Sequence, residues 1–429
     1  MANLRSFSPQ NMNKTRGIVW FRSDLRLHDN EALTDALTAC DEIMPVYVFD
    51  ERLFHGKTES GFDKISALRS QFIIESIQAL RQRLLDVGSQ LVVAFGKTED
   101  ILIELARSYK TKWVFCNRER TREEVVVQDA VEHGLWTIGQ EIRYTRGKML
   151  LYTADLPFPV THTPDRFTTF KKEVAYIPIR NVLATPSEIP TVKLDMGYGA
   201  IPNLDELNKT EPIENMFEGG EPAGLEALES VISDIKSGRA LDNEILSPWI
   251  SHGCLSPKQI YKAVKSIETR KNATVIDEIN VHLLRRDHLR LMGKKFGDLI
   301  FHRGGIQQIK VISDRDDKVI SAWCAGRTDQ LLVNAAMRQL VTTGYLPHRL
   351  RVLAGSYFIH DLKQDWLVGA QFFESHLIDY DPCSNYGNWN RLAGVGAVKR
   401  DEVQFNMEHQ MKLLDPEGAY VEKWMNAQS

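Results

Sequence analysis

Long apolar runs are missing from this chain. No stretch reaches the roughly 18 residues a membrane-crossing helix needs, and residues 1–16 lack the apolar block of a secretory signal. A membrane or exported protein is disfavoured and a cytoplasmic one expected. Cysteine is scarce: Cys40, Cys116, Cys254, Cys324 and Cys383 are odd in number, scattered and without CxxC spacing. That argues against a disulfide framework and against a zinc site, and leaves buried free thiols as the expectation. Excess positive charge is absent too. The formal net charge is -4, so any nucleic-acid binding must come from a local patch. Internal repeats and low-complexity tracts are also lacking. What is present is 429 residues of ordinary globular composition, 43% hydrophobic and 26% charged, enough for two or three domains with sizeable cores.

Apolar runs over 17–21, 44–49, 90–95, 112–116 and 141–144 alternate with helical patterns; in the longest, Ile65, Leu68, Phe72, Ile73, Ile77, Leu80 and Leu84 share one face. This predicts an α/β domain with a doubly wound parallel sheet over residues 15–150, with Thr98 as N-cap of a helix over 99–109. Pro157, Pro159, Pro164, Pro178, Pro186, Pro190 and Pro202 then crowd residues 151–220, the composition of a long connector crossing a surface, with one short helix over 165–174. From 221 to 425 the pattern is helical in period and strand signals vanish, which predicts an all-helical second domain.

The first strand runs into Trp20-Phe21-Arg22-Ser23-Asp24-Leu25-Arg26-Leu27-His28-Asp29-Asn30 with no GxGxxG after it, so a dinucleotide has no glycine-rich turn to hold its phosphates there. Arg22, Asp24 and Arg26 read as an internal charge network tying loop to sheet. Far downstream, Asp379-Tyr380-Asp381-Pro382-Cys383-Ser384-Asn385-Tyr386-Gly387-Asn388-Trp389-Asn390 sets two carboxylates and an amide beside a tryptophan. With Leu255-Ser256-Pro257, Asp415-Pro416-Glu417-Gly418 and Trp424, these motifs make residues 16–425 resemble the cryptochrome/photolyase family, most closely its DASH branch.

That resemblance implies a helical domain of the FAD-binding type, with Arg349, Arg351, Asp379, Asp381 and Asn385 around a flavin ring and Ser247 and Arg286 as further parts of its site. It implies Trp389 and Trp366 as inner and middle members of an electron relay, and Glu119 as the residue holding a methenyltetrahydrofolate antenna through its pterin. Taken by themselves, Trp389 and Trp366 also read as core aromatics, Glu119 as a solvated surface carboxylate, and Arg351 with Asp379 as a pair kept for architecture. Arg118 stands where the family usually has a glutamine.

Several positions depart from the pattern. The family's Thr-Ser-Lys/Arg-Leu/Phe-Ser-Pro cradle for the flavin diphosphate is replaced by Asn243-Glu244-Ile245-Leu246-Ser247-Pro248, after a shortened loop Ser237-Gly238-Arg239-Ala240-Leu241-Asp242. A phosphate roughly 4 to 5 Å from Glu244 would cost about 3 to 4 kcal/mol at an effective dielectric near 20. Each lost charge-assisted hydrogen bond costs roughly 1.5 to 3 kcal/mol more. Tight FAD binding is therefore not expected. In the pocket that would take a flipped pyrimidine dimer, His282 replaces a glutamate, Arg285 a tryptophan, His348 an asparagine and Arg391 an aromatic, so dimer repair by the family route is not expected either. No tryptophan occurs in 304–320, where an outer relay member would lie.

The same changes enrich the region in cations: Arg285, Arg286, Arg290, Lys294, Lys295, Arg303, Arg349 and Arg391, with His282, His288, His302 and His348. A solvated helix face is the plain reading; a pocket for phosphate, a nucleotide or single-stranded nucleic acid is the other. The expectation is a DASH-like homologue acting as a binding or regulatory protein, with a protein signalling partner and a retained folate. The alternatives are an FAD-containing blue-light receptor or single-stranded-DNA photolyase, and an enzyme or binder that uses the basic pocket for a phosphorylated small molecule.

Overall fold

The structure, a computed structural model, describes residues 14–195, 197–209, 216–239, 242, 244–398 and 405–426. Of the altered cradle, Ala240, Leu241 and Asn243 lie outside the described residues. The first part alternates strand and helix: β1 (Arg16–Phe21), α1 (Glu31–Ala39), β2 (Glu42–Asp50), α2 (Glu51–Phe54), α3 (Ala67–Asp86), β3 (Val92–Gly96), α4 (Thr98–Ser108), β4 (Trp113–Asn117), α5 (Arg122–Thr137) and β5 (Glu141–Thr145). The strands form one parallel sheet in the order β3-β2-β1-β4-β5. Its central strands are apolar throughout because helices cover both faces. Phe21, Phe49 and Phe115 pack into one core, and Ile18, Val46 and Val114 into another. The face Leu68, Phe72, Ile73, Ile77, Leu80 and Leu84 of α3 is buried as its spacing requires. Each such side chain stabilises the fold by roughly 1.5 to 3 kcal/mol.

Thr98 does not cap α4. The cap position is Lys97, and Thr98 instead gives its hydroxyl to Asp50 Oδ2 at 2.6 Å and its amide to the same oxygen at 3.3 Å. An acidic side chain at the end of β2 thus takes the part expected of the local threonine. The proline-rich segment contains α6 (Phe167–Glu173) and follows the sheet: Ile43 N donates to Pro190 O, and Val93 N to Tyr198 O.

Beyond it the described residues are helical: α7 (Glu221–Ser237), α8 (Ser247–Ser251), α9 (Pro257–Ser266), α10 (Ala273–Phe296), α11 (Asp317–Cys324), α12 (Leu331–Thr343), α13 (His348–Ser356), α14 (Trp366–His376), α15 (Pro382–Leu392), α16 (Met407–Leu414) and α17 (Ala419–Asn426). The sheet's main core runs on into Val231, Trp249, Ile276 and Ile378, so the two parts share one apolar interior. A second core around Trp323, Phe358, Phe373 and Trp389 belongs to the helical part.

The loop after β1 fastens the two parts. Arg26, 1% exposed, donates to the carbonyls of His28, Asp29, Gly147 and Gly253. Gly253 has φ 70, and a Cβ there would meet Ser23 O at 2.2 Å, so only glycine permits this approach. Asp24 binds the Arg22 amide at 2.7 Å and Asn117 Nδ2 at 2.5 Å. The network expected of Arg22, Asp24 and Arg26 is real, but it works through backbone groups and side-chain amides rather than ion pairs among the three. All five cysteines are free; Cys40 and Cys324 are half-buried rather than buried. No helix among the described residues is long and apolar enough to cross a membrane.

Candidate functional site

The Asp379-to-Asn390 motif folds as a helix start. Asp381 is the N-cap of α15, accepting from Ser384 N at 2.8 Å, and Pro382 supplies the first helical position, where its missing N–H costs nothing. The helix opens onto a cavity of about 50 Å³ whose walls include Asp379, Asp381, Asn385, Trp389, His348 and Arg351. Arg351 Nη2 holds Asp379 Oδ2 at 2.7 Å. Ser247 Oγ donates to the same oxygen at 2.5 Å. Asp379 Oδ1 is buried without a hydrogen-bond partner among the described residues. Asn385 Nδ2 donates to Ala370 O at 2.9 Å.

Of the substituted residues only His348 lines this cavity; Glu244, Arg285 and Arg391 reach it through their charges on His348. Glu244 Oε1 lies 2.8 Å from His282 Nδ1. Burial would raise the Glu244 carboxyl, but the His282 hydrogen bond and the charges of His348, His282 and Arg351 outweigh it and hold the group at about 2. Burial pushes the His348 imidazole down to about 4; Glu244 opposes this, while Arg351, Arg391 and Arg285 reinforce it. His348 is therefore neutral near pH 7 and Glu244 is ionised. Arg285 also lies over the Phe167 ring at 4.7 Å.

Other cations expected here are used elsewhere. Arg349 is exposed and lines no part of the cavity. Arg286 donates to the carbonyls of Lys148 and Ile250 and also stays out of the lining, so it joins connector to helices. Lys295 pairs with Asp165, Arg303 with Asp365, and His288 Nε2 bonds Pro164 O. Arg290 pairs with Asp381 and Glu119, at 2.8 and 2.9 Å.

Glu119 is not a surface residue. It is 2% exposed, and its carboxylate is held by Lys148 through one oxygen and by Arg290 Nη2 through the other. Burial would raise its pKa, yet Lys148, Arg290 and Arg22 keep it well below the usual carboxylate range. A buried chain Lys148–Glu119–Arg290–Asp381 thus links the sheet to the flavin-type cavity. Lys148 and Arg290 carry this chain, and local sequence marks neither as its member.

Trp389 lines the cavity and packs edge-on against Phe373 at 5.2 Å and Phe358 at 6.3 Å. Trp366 donates through Nε1 to Arg303 O and packs edge-on against Tyr386. Both indoles are buried, as is Trp323.

Comparison with known proteins accounts for this arrangement. Residues 17–187 match the DNA photolyase family model, and residues 281–428 match that of the FAD binding domain of DNA photolyase. The chain is 36% identical over 442 residues to Cryptochrome DASH, chloroplastic/mitochondrial, of Arabidopsis thaliana, covering 98% of this chain and 77% of that protein. The chain belongs to the photolyase/cryptochrome family. Within it the similarity is to DASH members: Cryptochrome DASH of Synechocystis sp. is 36% identical over 429 residues, 95% of this chain and 87% of that one. The crystal structure of a Synechocystis cryptochrome superposes with a TM-score of 0.90 at 35% identity, covering 96% of this chain and 89% of the other. A class III photolyase from Agrobacterium tumefaciens gives 0.84 at 25%, covering 98% and 88%.

Membership in this family implies FAD in the helical part, and the residues fit it at one end only. At the ring end, Asp379 keeps a buried acceptor without a partner, and Asp381, Asn385 and Arg351 stand around the same cavity. In the segment that the resemblance aligns with the phosphate cradle, Glu244 is ionised and paired with His282, while the Ser247 hydroxyl is committed to Asp379; a diphosphate resting there would meet a carboxylate where it needs donors. The folate expected at Glu119 does not fit either, because that carboxylate is sealed from solvent and saturated by two cations.

Proposed function

We propose that this family member has lost tight FAD binding and light-driven pyrimidine-dimer repair and acts as a binding or regulatory protein. One observation supports the reading: Glu244 is paired with His282 at 2.8 Å, and the family resemblance aligns Glu244 with the cradle for the flavin diphosphate. Without a seated flavin, neither photoreduction through Trp389 and Trp366 nor dimer splitting has an electron source. The ligand side of the proposal rests on charge. Arg285, Arg351 and Arg391 all act on His348, so the altered pocket suits an anionic nucleotide or a few nucleotides of single-stranded nucleic acid. Folate at Glu119 forms no part of it. The test is to purify the protein without added cofactor, release any chromophore with acid, and assay repair of dimers in single-stranded DNA under blue light. A colourless protein without repair activity is the expected result; stoichiometric flavin and light-dependent repair would overturn the proposal.

The partnerless Asp379 Oδ1 favours a second reading, in which a flavin ring still docks and the protein works as a blue-light receptor or single-stranded-DNA photolyase. Yellow protein that bleaches under blue light would support it.

A further inference from the structure

The inward face of α5 packs on the sheet. Gln128, Val131 and Leu135 are buried, the last two in a core shared with Leu102 and Leu105 of α4. A Cβ on Gly134 would meet Ile103 Cδ1 at 2.0 Å, so this glycine lets α4 close against α5 and hold it firmly. The outward face is of another kind. Trp136 is 75% exposed and Val126 58%, and Asp129 and His133 between them are exposed as well. Positions 126, 129, 133 and 136 follow one another at helical spacings of three and four, so their side chains form one stripe, about 15 Å from Val126 to Trp136.

A single exposed apolar side chain needs no explanation. Here two of them flank a carboxylate and an imidazole that lack partners of their own. The ion pairs of α5 lie in its first turn, Arg122 with Asp298 and Glu123 with Lys64, and Glu132 accepts from the Tyr144 hydroxyl. The side chains of Asp129 and His133 hold no ion pair or hydrogen bond among the described residues. The stripe is also self-complementary. Val126 and Trp136 are each five residues from Val131, and Asp129 and His133 each two. A second α5 crossing antiparallel about a two-fold axis at that level therefore sets apolar against apolar and acid against base. A parallel pairing would set Asp129 against the partner's Asp129, like charge on like charge.

We propose that this face binds a second copy of this chain through an antiparallel contact between the two α5 helices. Each Trp136 covers the partner's Val126, and each His133 faces the partner's Asp129. The same patch serves on both copies, so the assembly closes at two. A buried tryptophan accounts for about 150 to 250 Å², and even with both tryptophans covered one helix pair falls short of the roughly 1,200 Å² at which standard interfaces begin. The dimer is therefore reversible and forms with rising concentration. The contact uses no residue of the Glu244 pocket and holds with or without a bound flavin.

The test is analytical ultracentrifugation of the full chain over micromolar to submillimolar concentrations. Expected is a monomer–dimer equilibrium, weakened about tenfold or more in Trp136→Ala. Asp129→Lys sets a lysine against the partner's His133, and His133→Asp sets two carboxylates together; each contact occurs twice in the dimer, so each variant alone should weaken it about fivefold or more. An equimolar mixture of these two variants should associate again, because in the mixed pair the two substituted side chains meet as opposite charges and the native His133 meets the native Asp129. All three positions are exposed, so the variants should melt with the parent, which a thermal scan checks. The proposal is overturned if the parent stays monomeric throughout the range, if Trp136→Ala dimerises as tightly as the parent, or if the mixture associates no better than its components.

Discussion

If Glu244 opposes the flavin diphosphate as proposed, replacing it by serine should raise the affinity for FAD. The carboxylate is ionised near neutrality and half-buried beside His282. A phosphate charge roughly 4 to 5 Å away would be opposed by about 3 to 4 kcal/mol at an effective dielectric near 20. Serine removes that repulsion and returns a hydroxyl donor, while His282 is left free to turn toward the anion. Since 1.4 kcal/mol is a factor of ten, the dissociation constant for FAD should fall by about 100- to 1000-fold. The fold should tolerate the change, because a partly exposed ion pair contributes on the order of 1 kcal/mol or less. The assay is quenching of FAD fluorescence on titration with parent and Glu244→Ser protein in the dark, at low and at high salt. The gain should shrink as salt screens the repulsion. A change of less than tenfold at low salt would refute the reasoning, since the carboxylate would then not be what opposes the diphosphate.

Glu119→Gln should destabilise the protein by about 3 to 5 kcal/mol, because Lys148 and Arg290 would keep buried charges without their counter-ion; urea unfolding measures it, and a loss below about 1 kcal/mol would show that the chain is not a structural tie. Arg26→Ala should cost at least about 3 kcal/mol in the same assay, since four carbonyls lose their donor at the seam between the two parts. Burial holds His252 and His348 near 4, below the ordinary value of about 6.5. The unfolded chain therefore takes up protons first as pH falls, and stability present above about pH 6.5 should drain away between about 6.5 and 4. The loss should be on the order of 3 kcal/mol for His252 and less for the half-buried His348. Glu244, held at about 2, should add a further loss below about 4.5. A melting temperature flat from about pH 7 to 4 would contradict this, and His348→Asn should flatten part of the slope.

What is legible in the sequence follows from local pattern. The strands announce themselves as continuous apolar runs because both faces of the sheet are covered, and the Asp381-Pro382 pair marks the start of α15. Thr98 misleads because its acceptor, Asp50, lies 48 residues away, beyond any local capping signal. Glu119 reads as solvated for the same reason: Lys148 and Arg290 are 29 and 171 residues distant. Arg349 and Arg351 cannot both face one cavity, since residues two apart on a helix point to different sides; α13 turns Arg351 inward and Arg349 outward. Arg285 and Arg286 are likewise adjacent in sequence but part ways, Arg285 over the Phe167 ring and Arg286 on the carbonyls of Lys148 and Ile250. The basic composition of this region is therefore a poor guide, because Arg286, Arg290, Lys295 and Arg303 are committed to carboxylates and carbonyls and Arg349 is exposed.

The most direct measurement of the central claim is a comparison of riboflavin, FMN and FAD binding to the purified protein in the dark. If the negative side chain of Glu244 opposes the phosphates, affinity should not rise as phosphate is added, and riboflavin should bind at least as tightly as FAD. If FAD binds far more tightly than riboflavin, its diphosphate is welcomed rather than repelled, and the account is wrong.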